Sequence, residues 1–255
     1  MKSLFQYREL ISNLVLMDLK LKYRDSSLGF LWSLANPLLL ILVYGFVFGH
    51  ILRSGPPNFG FFIMVGILPW TFFSQSVLMA TTSILSNGSL IRKVALPMEV
   101  FPLATVLFNL AQYLLALVIF FPMALLFFEV SPAWSWLMFI PILVMHVCFT
   151  LGLSFVLATA AIFYRDVRHF TEICLTLLFW LTPVIYSVEA VPESLRSVIY
   201  MNPLSYFILA YQDVLYHDHW LTPSRFLTIF CLTFLSLVVG HVIFILSKVR
   251  FPEEV

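Results

Sequence analysis

The sequence predicts an all-α membrane protein with six transmembrane helices, an amphipathic N-terminal helix, one short cytoplasmic helix and short re-entrant helices on the outer face. Three observations predict it. Hydrophobic residues make up 61% of the 255 and charged residues only 11%, far from the balance of soluble globular domains. Six apolar stretches, 28–52, 59–85, 103–128, 134–163, 171–188 and 224–247, approach or exceed the roughly 20 helical residues that cross a bilayer core. The 14 basic residues fall mainly in alternate connections, the asymmetry that orients spans.

Residues 1–25 form the first element. Tyr7, Leu10, Ile11, Leu14, Met17 and Leu21 recur at helical spacing, while Lys2, Gln6, Glu9, Asn13 and Lys20 take the opposite face, so the helix is expected to lie in the membrane interface. No apolar core followed by a small-residue cleavage site precedes it, and the chain is expected to start at Met1. The helix ends in charges of alternating sign, Asp18, Lys20, Lys22, Arg24 and Asp25. That cluster reads either as a gate or docking surface or as the ordinary positive flank of a span.

Lys2, Arg8, Lys20, Lys22 and Arg24 precede span one; Arg92 and Lys93 separate spans two and three; Arg165 and Arg168 separate four and five; Lys248 and Arg250 follow six. The opposite side keeps Arg53, Arg196 and Arg225. Both termini and the loops near residues 92 and 166 are therefore expected in the cytoplasm.

The segment between spans two and three reads NGSLIRKVALPMEVFP, residues 87–102. Asn87 is expected to cap a short helix carrying Leu90, Ile91 and Val94 with Arg92 and Lys93 between them, and Pro97 to stop it. A loop that only sets topology needs charge and flexibility. A capped helix with an apolar face predicts a docking surface.

Span five carries Pro183 and is expected to kink or break toward its far end. The connection after it, 189–223, holds Leu195, Val198, Ile199, Leu204, Phe207, Ile208 and Leu209, interrupted by Pro192, Asn202 and Pro203. Two short helices that dip into the outer leaflet and return fit this pattern. Non-helical backbone at that depth needs protein or a water path around it, so the element is expected in an exit route or a lid.

Catalytic chemistry is hard to place. The sequence holds no GxxxxGK, HExxH or GxSxG, so neither a phosphate loop nor a zinc or serine hydrolase site is predicted. Cys148, Cys174 and Cys231 read as small apolar fillers. His50, His146 and His241 read as packing residues, with His146 a polar group near mid-membrane that keeps a functional alternative. A transferase acting on lipid-linked glycans would have only Asp166 with Arg165 and Arg168, or Glu189 with Glu193. A net charge of +1 supplies no global field for nucleic acid. The chain reads as one domain, residues 1–255, without a metal or cofactor of its own. Uphill transport would draw its energy from elsewhere.

Six segments, in order, carry a family resemblance: DLKLKYRDSSLGFLWSLANPLL (18–39), GILPWTFFSQS (66–76), NGSLIRKVALPMEVFPLA (87–104), FYRDVRHFTEI (163–173), LTPVIYSVEAVP (181–192) and NPLSYFILAYQDVLY (202–216). Together they resemble the permease subunit of bacterial polysaccharide ABC exporters of the ABC-2 type, which move lipid-linked O-antigen, teichoic acid or capsular chains. The resemblance implies an inner-membrane homodimer bound to two copies of a separate ATPase, which holds the ATP and magnesium. It also implies a gate helix over 1–25, a coupling helix over 87–97 and periplasmic helices over 189–223. By resemblance, Asn87, Leu90, Ile91, Arg92, Lys93, Val94 and Pro97 dock into the ATPase. The first two spans line the dimer channel in such permeases, which makes Tyr44, Phe46, Phe48, Phe62, Trp70, Phe72 and Phe73 candidate lining rings. Sugar C–H faces pack on aromatic faces while their hydroxyls stay hydrated. Lipid-facing aromatic belts are the competing reading of the same rings, and an exporter of drugs or small lipids is a competing substrate class.

Overall fold

Lipid offers backbone amides no water to bond, so a chain this apolar must close its hydrogen bonds within helices. The computed structural model describes residues 6–24, 31–51, 55–93, 96–128 and 130–251, and all regular structure among them is helical. The order is α1 (Arg8–Tyr23), α2 (Leu31–Tyr44, continued by a π turn Gly45–Ile51), α3 (Phe59–Ser83), α4 (Gly88–Lys93), α5 (Val100–Phe127), α6 (Phe139–Phe163, entered through a 3-10 turn Trp134–Met138) and α7 (Val167–Leu181). Then come α8 (Glu193–Met201), α9 (Pro203–Tyr211, continued by a π turn Gln212–Tyr216) and α10 (Pro223–Ser247).

Among the described residues four helices are long and apolar enough to cross a membrane: Phe59–Ser83, Val100–Phe127, Trp134–Phe163 and Pro223–Arg250. The expected fifth span is shorter. Over the expected first, α2 and its π turn run from Leu31 to Ile51, with an apolar stretch, Leu38–Gly49, among the described residues. The fifth, α7, has 15 residues and stops at Leu181. Its stop has a local cause: Pro183 disfavours helical geometry at the residue before it, and Thr182 is extended at φ −103°, ψ 134°.

The unwound stretch after α7 is buried, with Thr182 and Val184 fully inside and Ile185 nearly so. Its polar groups are met by the following elements. Gln212 Nε2 donates to the Pro183 carbonyl at 2.7 Å, Asn202 Nδ2 donates to Thr182 Oγ1 at 2.8 Å, and the Tyr186 hydroxyl donates to the Trp180 carbonyl at 2.9 Å. Helix α3 comes close enough that a Cβ on Gly66 would lie 2.5 Å from the Val184 carbonyl oxygen.

The connection after α7 forms two short helices, α8 and α9. Asn202 Oδ1 accepts from the Leu204 amide at 3.0 Å, and Pro203 follows at the first helical position of α9, a good helix start because proline lacks the donor that would go unpaired there. Helix α10 starts the same way, with Thr222 as cap and Pro223 next. α9 is swallowed by the core through Leu204, Phe207, Ile208 and Tyr211, whereas α8 leaves Leu195, Val198 and Met201 exposed.

α3 is the central helix, packed by α5, α6, α2, α7 and α9, and 78% of its apolar window is buried. α6 and α10 form the most extensive helix pair. A second core gathers at the end that carries α4: Ile11 and Leu14 from α1, Ile84, Val100, Phe101 and Ala104 flanking the α4 segment, and Phe155, Ile162, Phe244 and Phe251 from the ends of α6 and α10. The cysteines depart from expectation. Cys148 and Cys174 are half-buried and Cys231 is exposed on α10, so they fill no interior gap.

Candidate functional site

Every face of α3 but one is occupied by neighbours, and the remaining face opens a groove of about 410 Å³ between α2, α3 and α7. From α3 it takes Thr71, Ser74 and Gln75, and from α7 Glu172 and Thr176. These are one-turn spacings that put each set on a single helical face. Ser74 Oγ donates to the Thr71 carbonyl at 3.3 Å and Thr176 Oγ1 to the Glu172 carbonyl at 3.0 Å. Gln75 and Glu172 carry the longer polar side chains of the lining. Glu172 is paired along its own helix, 3.4 Å from Arg168 Nε and 3.5 Å from His169 Nδ1.

Aromatic rings complete the lining, and Phe179 is their hub. Its ring stacks on Tyr44 at 6.2 Å and 27°, meets Trp70 edge-on at 5.5 Å, and meets Trp180 edge-on at 5.4 Å. The site therefore combines aromatic rings with amide, carboxylate and hydroxyl groups in one open trough. That pairing suits a ligand with both C–H faces and hydroxyl edges.

Of the seven rings expected to line a channel, Tyr44 and Trp70 border this groove. Phe46 is 60% exposed on α2, and Phe48 packs on Tyr44 and Phe59. Phe62, Phe72 and Phe73 are corrected: all are at most 3% exposed. Phe62 stacks on Phe59, Phe72 on Tyr113, and Phe73 on Phe149, because a central helix presents most of its side chains to other helices. Sequence reasoning missed Gln75, Glu172, Thr176 and Phe179. Their one-turn spacing was readable, but nothing in the sequence told that α7 would lie beside α2 and α3.

His146 sits fully buried in a cage of rings, 5.0 Å from Phe207, 5.3 Å from Phe72 and 6.1 Å from Phe73, with Nδ1 3.4 Å from the Tyr211 hydroxyl. It packs and does not reach the groove. Arg168 pairs with Glu172 within α7, while Arg165 and Asp166 are exposed, so the acid–base set suggested around Asp166 is not assembled. Glu189 takes its hydrogen bond from Ser187. Among the described residues no group of three or more His, Cys, Asp or Glu can hold a metal ion.

The α4 segment departs from expectation in two ways. Asn87 turns its amide the other way: Nδ2 donates 2.8 Å back to the Ser83 carbonyl, closing the end of α3 through a 3-10 turn. Leu90 and Ile91 turn inward onto the second core together with Leu96 and Met98, so the apolar face seats the helix on its own chain. Positions 89, 92 and 93 share the opposite face, where Ser89 is exposed and Arg92 and Lys93 end the helix. Val94 lies outside the described residues, and Lys93 is the last described residue of α4.

α1 packs along α5. Ile11 and Leu14 are buried, while Met17 and Leu21 of the same expected face are about half exposed, at 45% and 55%. Lys22 Nζ donates to Gln112 Oε1 and stands 5.7 Å from the Phe108 ring centre. Burial pushes the Lys22 ammonium below its usual pKa and the Asp18 carboxyl above its own. Lys20 and Arg24 have exposed side chains, and Asp25 lies outside the described residues.

Residues 9–216, from α1 through the π turn after α9, match the family described as ABC-2 type transporter. The chain belongs to that family. It is similar to an O-antigen export system permease protein RfbA of Klebsiella pneumoniae, 34% identical over 92% of this chain and 91% of the relative. It is also similar to the protein of that name from Myxococcus xanthus, 33% identical over 100% and 98%. The polysialic acid transport protein KpsM of Escherichia coli is 21% identical over 78% of each chain. As an ABC-2 permease the chain is a multi-pass transport subunit that works with an ATPase, and not an enzyme.

Proposed function

We propose that this chain forms the channel of an ATP-driven exporter that carries lipid-linked polysaccharide, O-antigen first among the candidates, out of the bacterial cytoplasm. The observation that carries the reading is the groove, which is lined by the rings of Tyr44, Trp70 and Phe179 together with Gln75, Glu172 and Thr176. Rings accept the C–H faces of successive sugars, polar arms exchange with their hydroxyls, and no charged pocket holds one residue tightly. The names of the full-length relatives supply the polymer class, and the weaker likeness to a polysialic acid transporter keeps capsule export as the second reading.

In this reading α2 and α7 count as spans one and five, both termini are cytoplasmic, and the chain sits in the inner membrane. An open trough on one protomer becomes a closed conduit when a second copy covers it, which favours a homodimer. Two ATPase subunits hold the nucleotide and magnesium and dock at α4 through Ser89, Arg92 and Lys93. Their closure moves α4 and, with it, the second core beneath α1 and α5. α8 and α9 form the periplasmic exit.

Cysteine accessibility in the assembled complex tests this. Cysteines at Ser74, Gln75 and Thr176 are expected to react with a water-soluble thiol reagent and to be protected while polymer is in transit. A cysteine at Leu235, exposed on α10, reacts only with a lipid-soluble one. Groove positions labelled only from lipid, or protected by a small lipid but not by polymer, overturn the reading.

A further inference from the structure

Outside the groove, the most unusual polar contact joins two distant parts of the chain. Glu99 Oε1 lies 2.9 Å from Lys248 Nζ, and their side chains are 10% and 41% exposed. Glu99 ends the segment that follows α4 and heads α5, its carbonyl accepting from the Leu103 amide at 3.3 Å. Lys248 opens the 3-10 turn that finishes α10. The pair sits at the end where Val100, Phe101, Phe244 and Phe251 pack together.

We infer that Glu99 and Lys248 are positioning residues that couple displacement of α4 to α10, and this rests on α4 being the ATPase docking helix. Two considerations support the assignment. An apolar core resists separation but permits sliding, whereas a hydrogen-bonded ion pair fixes which part of one element stays with which part of the other. Glu99 Oε2 is moreover buried without a hydrogen-bond partner, an arrangement a purely static anchor would have satisfied.

The consequence is a second route into the membrane domain. The α4 segment leads by chain continuity into α5, and through Glu99 and Lys248 into α10. α10 lies against α6 along most of its length, so a pull on its end is shared with α6.

The test uses the complete complex of this chain with its ATPase, measuring assembly, ATP hydrolysis and polymer export separately. Glu99→Gln is expected to assemble and hydrolyse ATP normally while export per ATP falls about tenfold, an ordinary size for coupling between sites. Lys248→Met is expected to do the same from the more exposed partner, and Lys248→Arg to retain export. If both substitutions leave the ratio of export to hydrolysis unchanged in the complexes that assemble, the pair is only a stabilising contact and the inference is overturned. Failure of α4 to dock at all would instead show as lost assembly in variants of Arg92 and Lys93, a different readout.

Discussion

Gly152 and Gly240 meet backbone against backbone: a Cβ built on Gly240 would lie 2.0 Å from the Gly152 carbonyl oxygen. A Cβ on Gly152 would in turn lie 2.4 Å from the Ser236 carbonyl. Small residues let membrane helices approach this closely, and van der Waals contact between them replaces the hydrophobic drive that lipid cannot provide. The contact also brings Thr233 Oγ1 within 3.2 Å of the Met145 carbonyl and Ser236 Oγ within 2.9 Å of the Phe149 carbonyl. Gly240→Val should separate α6 from α10 at a cost of about 1–3 kcal/mol, read as a lower melting temperature of the detergent-purified chain. An unchanged melting temperature would mean that these helices do not touch here.

Gln212 is the donor that satisfies the Pro183 carbonyl where α7 ends. Gln212→Leu keeps the volume but strands that oxygen in a buried site, which costs about 1–3 kcal/mol. Thermal unfolding should shift down, while Gln212→Glu, whose neutral acid form still donates, should lose less at acidic pH than at alkaline pH.

Phe179 touches Tyr44, Trp70 and Trp180, and each aromatic pair contributes about 0.5–1.5 kcal/mol beyond burial. Phe179→Ala should slow polymer export without changing assembly with the ATPase, and Phe179→Tyr should restore most of it. Equal export by the alanine variant would remove this ring wall from the conduit.

Arg92 and Lys93 are the last two described positions of α4. Replacing both with Glu should leave insertion and yield intact but reduce co-purification of the ATPase about tenfold or more, because like charges then oppose a complementary surface. Normal complex formation by the double variant would place the docking surface elsewhere.

Asp18 gives a pH signature. Burial raises its pKa, so seated α1 holds the proton more tightly than released α1 does. Its contribution to seating is therefore fully present below the usual carboxylate pKa of about 3.9 and is lost as pH rises through the raised value. Asp18→Asn should slow hydrogen exchange in α1 at neutral pH, with the difference vanishing in acid. The effect is small, because much of the side chain remains in solvent. Faster exchange in the variant would reverse the sign.

Much of the fold is legible in residue order. The apolar stretches that become α3, α5, α6 and α10 are marked by length and composition alone, and Pro183, Asn202 and Pro203 act locally, one stopping α7 and two starting α9. Individual caps are less legible. Asn87 fits the start of α4 by residue type, yet bonds to Ser83 because the preceding turn is 3-10 and brings that carbonyl within reach. Faces were legible only where one side is polar. The alternation on α1 marks Ile11 and Leu14 as buried, but cannot say that the packing of α1 along α5 leaves Met17 and Leu21 about half exposed.

The groove shows the limit most clearly. Phe62, Phe72, Phe73 and Trp70 are aromatic residues on one apolar helix, and no local property separates three core rings from one that borders an opening. Membership of the membrane class and the chain's division into helices follow from the sequence by itself, because hydropathy and proline act on each segment wherever it lies. Which rings face the groove, that α7 supplies Phe179 and Glu172 to it, and that Glu99 meets Lys248 were decided only by the tertiary structure. Those are contacts between segments far apart in the chain, and they depend on how helices of nearly uniform apolarity choose their neighbours.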